Sequence, residues 1–135
     1  MIAKYYIAQT IPNLFRREQI NVGVIACKGE RIAAKFLGER SQGEEIDKRN
    51  LKKAIFPYKD VYTQWVSYWR RMISTSSSPL DDILNTDAGN YRVISGGEVD
   101  RTGEDPIEDI VDYLFPLIVS NGVLSQKQGG ICDIV

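Results

Sequence analysis

The chain has 135 residues, 43% of them hydrophobic and 26% charged, which is the length and composition of one ordinary globular domain. It contains 17 basic and 18 acidic residues and no histidine, so the commonest general base and the commonest metal ligand are both missing. The longest apolar stretch lies around Tyr113–Leu124 and is interrupted by Pro116, Asn121 and Gly122. It falls short of the roughly 20 residues a bilayer requires.

Nothing at the N-terminus has the charged-then-apolar pattern of a secretory leader, so a cytoplasmic protein with reduced thiols at Cys27 and Cys132 is expected. Charge is unevenly spread. Residues 1–75 carry 14 basic and 7 acidic side chains, and residues 76–135 carry 3 and 11. Such a split gives a basic face for nucleic acid or acidic partners, unless the two halves interleave in space.

In chain order, Lys4–Ile11 alternates around Tyr5 and Ile7 and stops at Pro12-Asn13, as a strand would. Ile20–Cys27 is dense in β-branched residues and predicts a buried strand. Lys28-Gly29-Glu30 makes a hairpin turn into a third strand, Arg31–Leu37, with Ile32, Ala34 and Phe36 on one face. Such a meander needs only one covered face. Ser41 and Glu44 have capping-box spacing and open a short helix over about 43–55, broken at Pro57.

Tyr58–Ser74 is the clearest element. On a helical wheel every apolar residue falls within an arc of about 160°, wider than the ~100° needed to bury one face. The surplus predicts packing against two surfaces, the sheet and a partner. Ser78-Pro79 then starts a short helix through Leu80, Ile83 and Leu84. Tyr91–Ser95 reads as a fourth strand, ended by Gly96-Gly97. Asp105 is the expected N-cap of a last helix that runs to about Val119, with a kink at Pro116. The fold class that follows is a single α+β domain over residues 1–120, with a largely antiparallel four-stranded sheet covered by amphipathic helices and the aromatic helix as main cover. Residues 121–135 form a tail, read either as an edge strand or as loose chain.

No phosphate-binding loop, dinucleotide fingerprint, Cys-x-x-Cys pair or nucleophile elbow occurs. No catalytic residue, metal ligand or cofactor is assigned. Asp105, Glu108, Asp109 and Asp112 share a helix face and could suit a hard cation, but the helix dipole alone accounts for acids there. Lys59, Arg70 and Arg71 beside Trp65 and Trp69 invite a nucleic-acid reading. The wheel opposes it, because the basic and aromatic residues occupy opposite faces.

Two sets of residues are candidates for binding. One is the polar strand entrance, Arg17, Glu18 and Asn21. Asn21 is a poor strand former inside an apolar run, and Gly23 follows two residues later. A structural reading stands beside it, in which Asn21 satisfies a neighbouring loop and Gly23 permits a bulge or a close approach. The other set is the surplus apolar arc, Tyr58, Tyr62, Tyr68 and Trp69, residue types that dominate interface energetics.

Lys4-Tyr5-Tyr6, Pro12 and then Arg17-Glu18-Gln19-Ile20-Asn21-Val22-Gly23-Val24 resemble the opening of a bacterial family known as domain of unknown function 3037. The resemblance continues through Tyr91–Ile94 and Asp105-Pro106 to Leu117-Ile118-Val119, covering about residues 3–120. It implies no established activity. Members are often encoded beside a HipA-like kinase, which implies an accessory or antitoxin-like role with a protein partner. A phage-encoded inhibitor of a bacterial defence system fits the small size equally. The leading expectation is a non-catalytic protein-interaction module. The alternative is a nucleic-acid-binding or metal-dependent nucleic-acid-processing protein, and no membrane association is expected.

Overall fold

A computed structural model describes residues 2–11, 18–39, 46–47, 51, 55–75, 83–84, 90–100 and 106–119. Three strands follow one another, β1 (Ile2–Thr10), β2 (Ile20–Lys28) and β3 (Arg31–Phe36). A 3-10 turn at Phe56–Tyr58 leads into helix α1 (Lys59–Thr75), then strand β4 (Tyr91–Asp100) and helix α2 (Ile107–Ile118). The sheet order is β3-β2-β1-β4 and all three pairings are antiparallel. This is an α+β domain with a four-stranded antiparallel sheet.

The sheet is covered on both faces. Lys35 and Phe36 are neighbours in β3, so their side chains point to opposite sides. Phe36 stacks on Trp69 of α1, with ring centroids 5.6 Å apart. Lys35 lies over the Phe115 ring of α2 at 5.0 Å and pairs with Asp112 at 3.6 Å. The aromatic helix therefore covers one face and α2 the other, and α2, not the aromatic helix, packs more extensively on β2 and β3. Double coverage explains β2, where Val22, Val24, Ile25 and Ala26 are all fully buried although alternate residues face opposite ways. From α2, Ile107, Ile110, Val111, Leu114 and Phe115 are buried. At roughly 1.5–3 kcal/mol per large apolar side chain, that set is a major part of the folding free energy.

Gly23 is required by this packing. A Cβ there would lie 2.4 Å from the Phe36 ring, so only glycine lets Phe36 cross β2 to reach Trp69. The register of β1 against β2 shifts next to it, between Ala8 and Gln9.

Several expectations are corrected. β4 does not end at Gly96-Gly97 but continues to Asp100. The pairing with β1 shifts at Tyr5/Tyr6 and leaves Gly96 as the extra residue; its Cβ would fall 2.3 Å from the Tyr5 ring. The glycines make room for that ring and do not stop the strand. Within the expected 43–55 helix, the described residues Ile46, Asp47, Leu51 and Ile55 are not helical. Ile46 instead forms a β-bridge with Glu39, and Asp47 N–H donates to Gly38 O at 2.8 Å. The other positions of that stretch lie outside the described residues. Ile83 and Leu84 are helical, as expected, and the rest of that short helix is likewise undescribed. Pro106, not Asp105, holds the N-cap position of α2 and offers no side-chain cap, while Asp105 is outside the described residues. The helix passes through Pro116 and ends two residues later, where Val119 N–H bonds Phe115 O at 2.7 Å. Cys132 and the tail 121–135 fall outside the described residues.

Candidate functional site

The wide apolar arc of α1 divides in two. At 100° per residue, counted from Tyr58, the side chains of Trp69, Tyr62, Ile73 and Val66 lie between about 20° and 80°. Those of Tyr68, Val61, Met72 and Trp65 lie between about 280° and 340°. The first half faces the sheet. Tyr62 and Trp69 are wholly buried and Val66 is 3% exposed. The Tyr62 hydroxyl donates to Leu37 O at 2.6 Å, and burial holds that hydroxyl protonated well above the usual tyrosine range. Trp69 packs among Phe36, Trp65 and Tyr91, and its Nε1–H has no hydrogen-bond partner among the described residues.

The second half is only partly covered among the described residues. Val61 is 46% exposed, and Trp65, Tyr68 and Met72 are half-buried. Tyr58, just ahead of the helix, is 48% exposed. Two of these rings pack on neighbours. Trp65 stacks on Tyr91 of β4, 5.3 Å between centroids and 12° from parallel, and meets Tyr68 edge-on at 5.6 Å. Two hollows open beside them. One of about 300 Å³ lies against Gln64, Trp65 and Tyr68. A smaller one of about 100 Å³ is lined by Thr10, Ile55, Tyr58, Val61, Asn90 and Tyr91. Of the four arc residues chosen from sequence, Tyr58 and Tyr68 lie on this outer face. Tyr62 and Trp69 do not; both are core residues with no surface to offer a partner. Val61, Trp65 and Met72 belong to the outer face and were missed, although their spacing of three and four residues marks them out.

The strand entrance is arranged differently from the expected polar site. Arg17 is outside the described residues. Glu18 is exposed, and it too is engaged in an interaction. Asn21 is consumed structurally: its Oδ1 accepts from Gln9 Nε2 at 2.9 Å, and its Nδ2 donates to Ile118 O at 3.1 Å. Arg92 Nε extends the chain by donating to Gln9 Oε1 at 3.1 Å. A run of hydrogen bonds thus crosses β4, β1 and β2 and fastens the C-terminal end of α2, whose last carbonyls need partners. Asn21 thus has a structural role, though it serves Gln9 of β1 and the end of α2 rather than a neighbouring loop.

A second polar cluster escaped the sequence altogether. Gly38, at φ 92°, turns the chain after β3 so that Glu39 folds back. The Glu39 carboxylate is 1% exposed and is gripped by Arg70 of α1, Nε to Oε2 at 3.0 Å and Nη2 to Oε1 at 2.7 Å. Burial raises the Glu39 pKa above the ordinary carboxyl range, opposed by Arg70 and by the Phe36 N–H. Arg70 also stands 5.2 Å from the Phe36 ring centre. One of the cations on which the nucleic-acid reading relied is therefore committed inside the domain. No spacing rule links residues 31 positions apart, so only the fold brings this pair together.

Among the described residues no group of three or more Cys, Asp or Glu side chains converges as a metal site would. Glu108, Asp109 and Asp112 are exposed on the first turns of α2. Cys27 is a free, half-buried thiol 3.6 Å from Gly29 O. No helix among the described residues is long and apolar enough to cross a membrane. No family model, curated protein or solved structure matches this chain.

Proposed function

We propose that the protein is an interaction module whose docking face is the outer half of α1, Val61, Trp65, Tyr68 and Met72, with Tyr58 at one end. The observation that carries this reading is the division of a single amphipathic helix into a fully buried half and a half-exposed half whose rings pack on one another. Preorganised aromatic side chains lose little freedom on binding, so they suit the centre of an interface. The partner is a protein, and the resemblance to domain of unknown function 3037 nominates a HipA-like kinase or a component of a bacterial defence system. The site's role is to present a shape, with no bond made or broken.

The test uses the tagged full-length chain and a Val61→Lys, Tyr68→Lys double variant, each incubated with a purified HipA-like kinase from the same host. Circular dichroism should be unchanged in the variant while binding falls by tenfold or more. Binding by the wild type should survive high salt. Equal binding by both chains would overturn the docking face. In a parallel incubation with nucleic acid, binding that weakens about a thousandfold between 50 and 200 mM salt, with none to the kinase, would favour the alternative function.

A further inference from the structure

On the sheet face that carries α2, the helix packs on β2 and β3. A helix is about 10 Å across, roughly two strand spacings, so β1 and β4 keep a strip one helix wide. Tyr5 and Ile7 share that face with Gln9, which pairs with Asn21 beneath the end of α2. Ile94 and Val99 join them from β4, opposite Ile7 and Ala3. All four of these apolar side chains are only half-buried. The flank of α2 beside the strip is apolar too. Counted at 100° per residue from Ile107, Phe115 and Asp112 lie at about 80° and 140°, on the flank toward Lys35 of β3. Tyr113 and Leu117 lie at about 240° and 280°, on the opposite flank. They are 50% and 68% exposed. Floor and wall together make an apolar shelf that is half-open among the described residues.

We infer that this shelf is the seat of the chain's own next segment, with Val123 and Leu124 lodged between Leu117 and Ile94. The end of α2 argues for that occupant. The Ile118 carbonyl is held by Asn21, in the row of hydrogen bonds that runs through Gln9 to Arg92. The chain therefore leaves the helix two residues after Leu117, at the Arg92 end of the shelf. Val119 is already extended there, at φ −104° and ψ 94°. Ser120-Asn121-Gly122 are turn-forming residues, suited to reversing the chain, and Val123-Leu124 is the first apolar pair after them. Ile94 lies two residues along β4 from Arg92, about 7 Å, whereas four or five extended residues span about 13–17 Å. The pair reaches the shelf with slack left for the turn. So short a tether holds it at an effective concentration in the millimolar range, ahead of a free partner of similar chemistry.

The test is methyl-resolved NMR on the full-length wild-type chain. The Val123 and Leu124 methyls should show nuclear Overhauser contacts to those of Leu117 and Ile94, unchanged across protein concentration. Leu117→Lys alters an exposed side chain and leaves the core intact. In that variant the Val123 and Leu124 signals should move to random-coil positions, while those of the buried Ile25 and Val111 stay in place. Random-coil shifts without those contacts in the wild type overturn the inference. So do signals that Leu117→Lys leaves unmoved. Contacts found only between differently labelled molecules would give the shelf to a second copy and overturn it equally. None of these readouts touches the outer side of α1, so the docking face proposed there stands or falls separately.

Discussion

Trp65 and Trp69 stand one turn apart on α1, and their surroundings differ sharply. Trp69 has no exposed surface and packs on Phe36, whereas Trp65 is half-buried and lies flat on Tyr91 at the margin of the same cluster. The difference follows from a rotation of about 40° around the helix axis. Identical residue types a single turn apart thus serve opposite purposes, one closing the core and the other lining an open face. Composition and apolar periodicity place both on the helix's apolar side. Only the position of the sheet beneath decides which is which.

Substitutions can break or sharpen this contrast. The largest effect is expected at the inner half, where Trp69→Ala should lower stability by about 3–5 kcal/mol, measured by urea unfolding. A loss under 1 kcal/mol would mean that Trp69 is not the core residue described. Tyr62→Phe comes next. It removes the hydroxyl bonded to Leu37 O and leaves that buried carbonyl unsatisfied, at about 1–3 kcal/mol. Trp65→Ala forfeits the stacking on Tyr91 and the edge contact with Tyr68, and should cost about 1–2 kcal/mol, clearly less than Trp69→Ala. Equal losses at the two tryptophans would erase the distinction between the halves.

The smallest effect concerns pH. The carboxyl of Glu39 is raised in the folded state, so the native protein binds this proton at a higher pH than the unfolded chain does. Unfolding then releases a proton in that window, and Glu39's contribution to stability is greatest at low pH and is lost as pH rises through the raised value. Wild type should therefore gain on Glu39→Gln as pH falls from neutral toward the ordinary carboxyl range. A change in the other direction would mean that the grip of Arg70 outweighs burial.

The sequence was most readable where one local pattern decides the structure. β1, β2, β3 and α1 announce themselves by period and turn residues, and their bounds agree within a few positions. The four-stranded antiparallel sheet follows from them. β4 was cut short because Gly96-Gly97 has the local signature of a stop, while its cause is distant: the Tyr5 ring lies across it from the neighbouring strand. The stretch at 43–55 shows the same effect, since Glu39 captures Ile46 in a bridge despite helical spacing downstream. The candidate site was half legible. The excess width of the α1 arc corresponds to a half-exposed outer side, and excluding Tyr62 and Trp69 from it required the direction of the sheet. Asn21 was legible as an anomaly in its strand, and its partners, Gln9 and the Ile118 carbonyl, were not. The Glu39–Arg70 pair had no local signal of any kind.

Because the chain has two tryptophans, one in each half of the arc, fluorescence quenching by acrylamide addresses the division directly. The variant Trp69→Phe reports on Trp65 alone, and Trp65→Phe reports on Trp69 alone. The first should be readily quenched and the second nearly resistant while the protein stays folded. Equal shielding of both indoles would contradict an open outer half, and equal exposure would contradict the buried inner one.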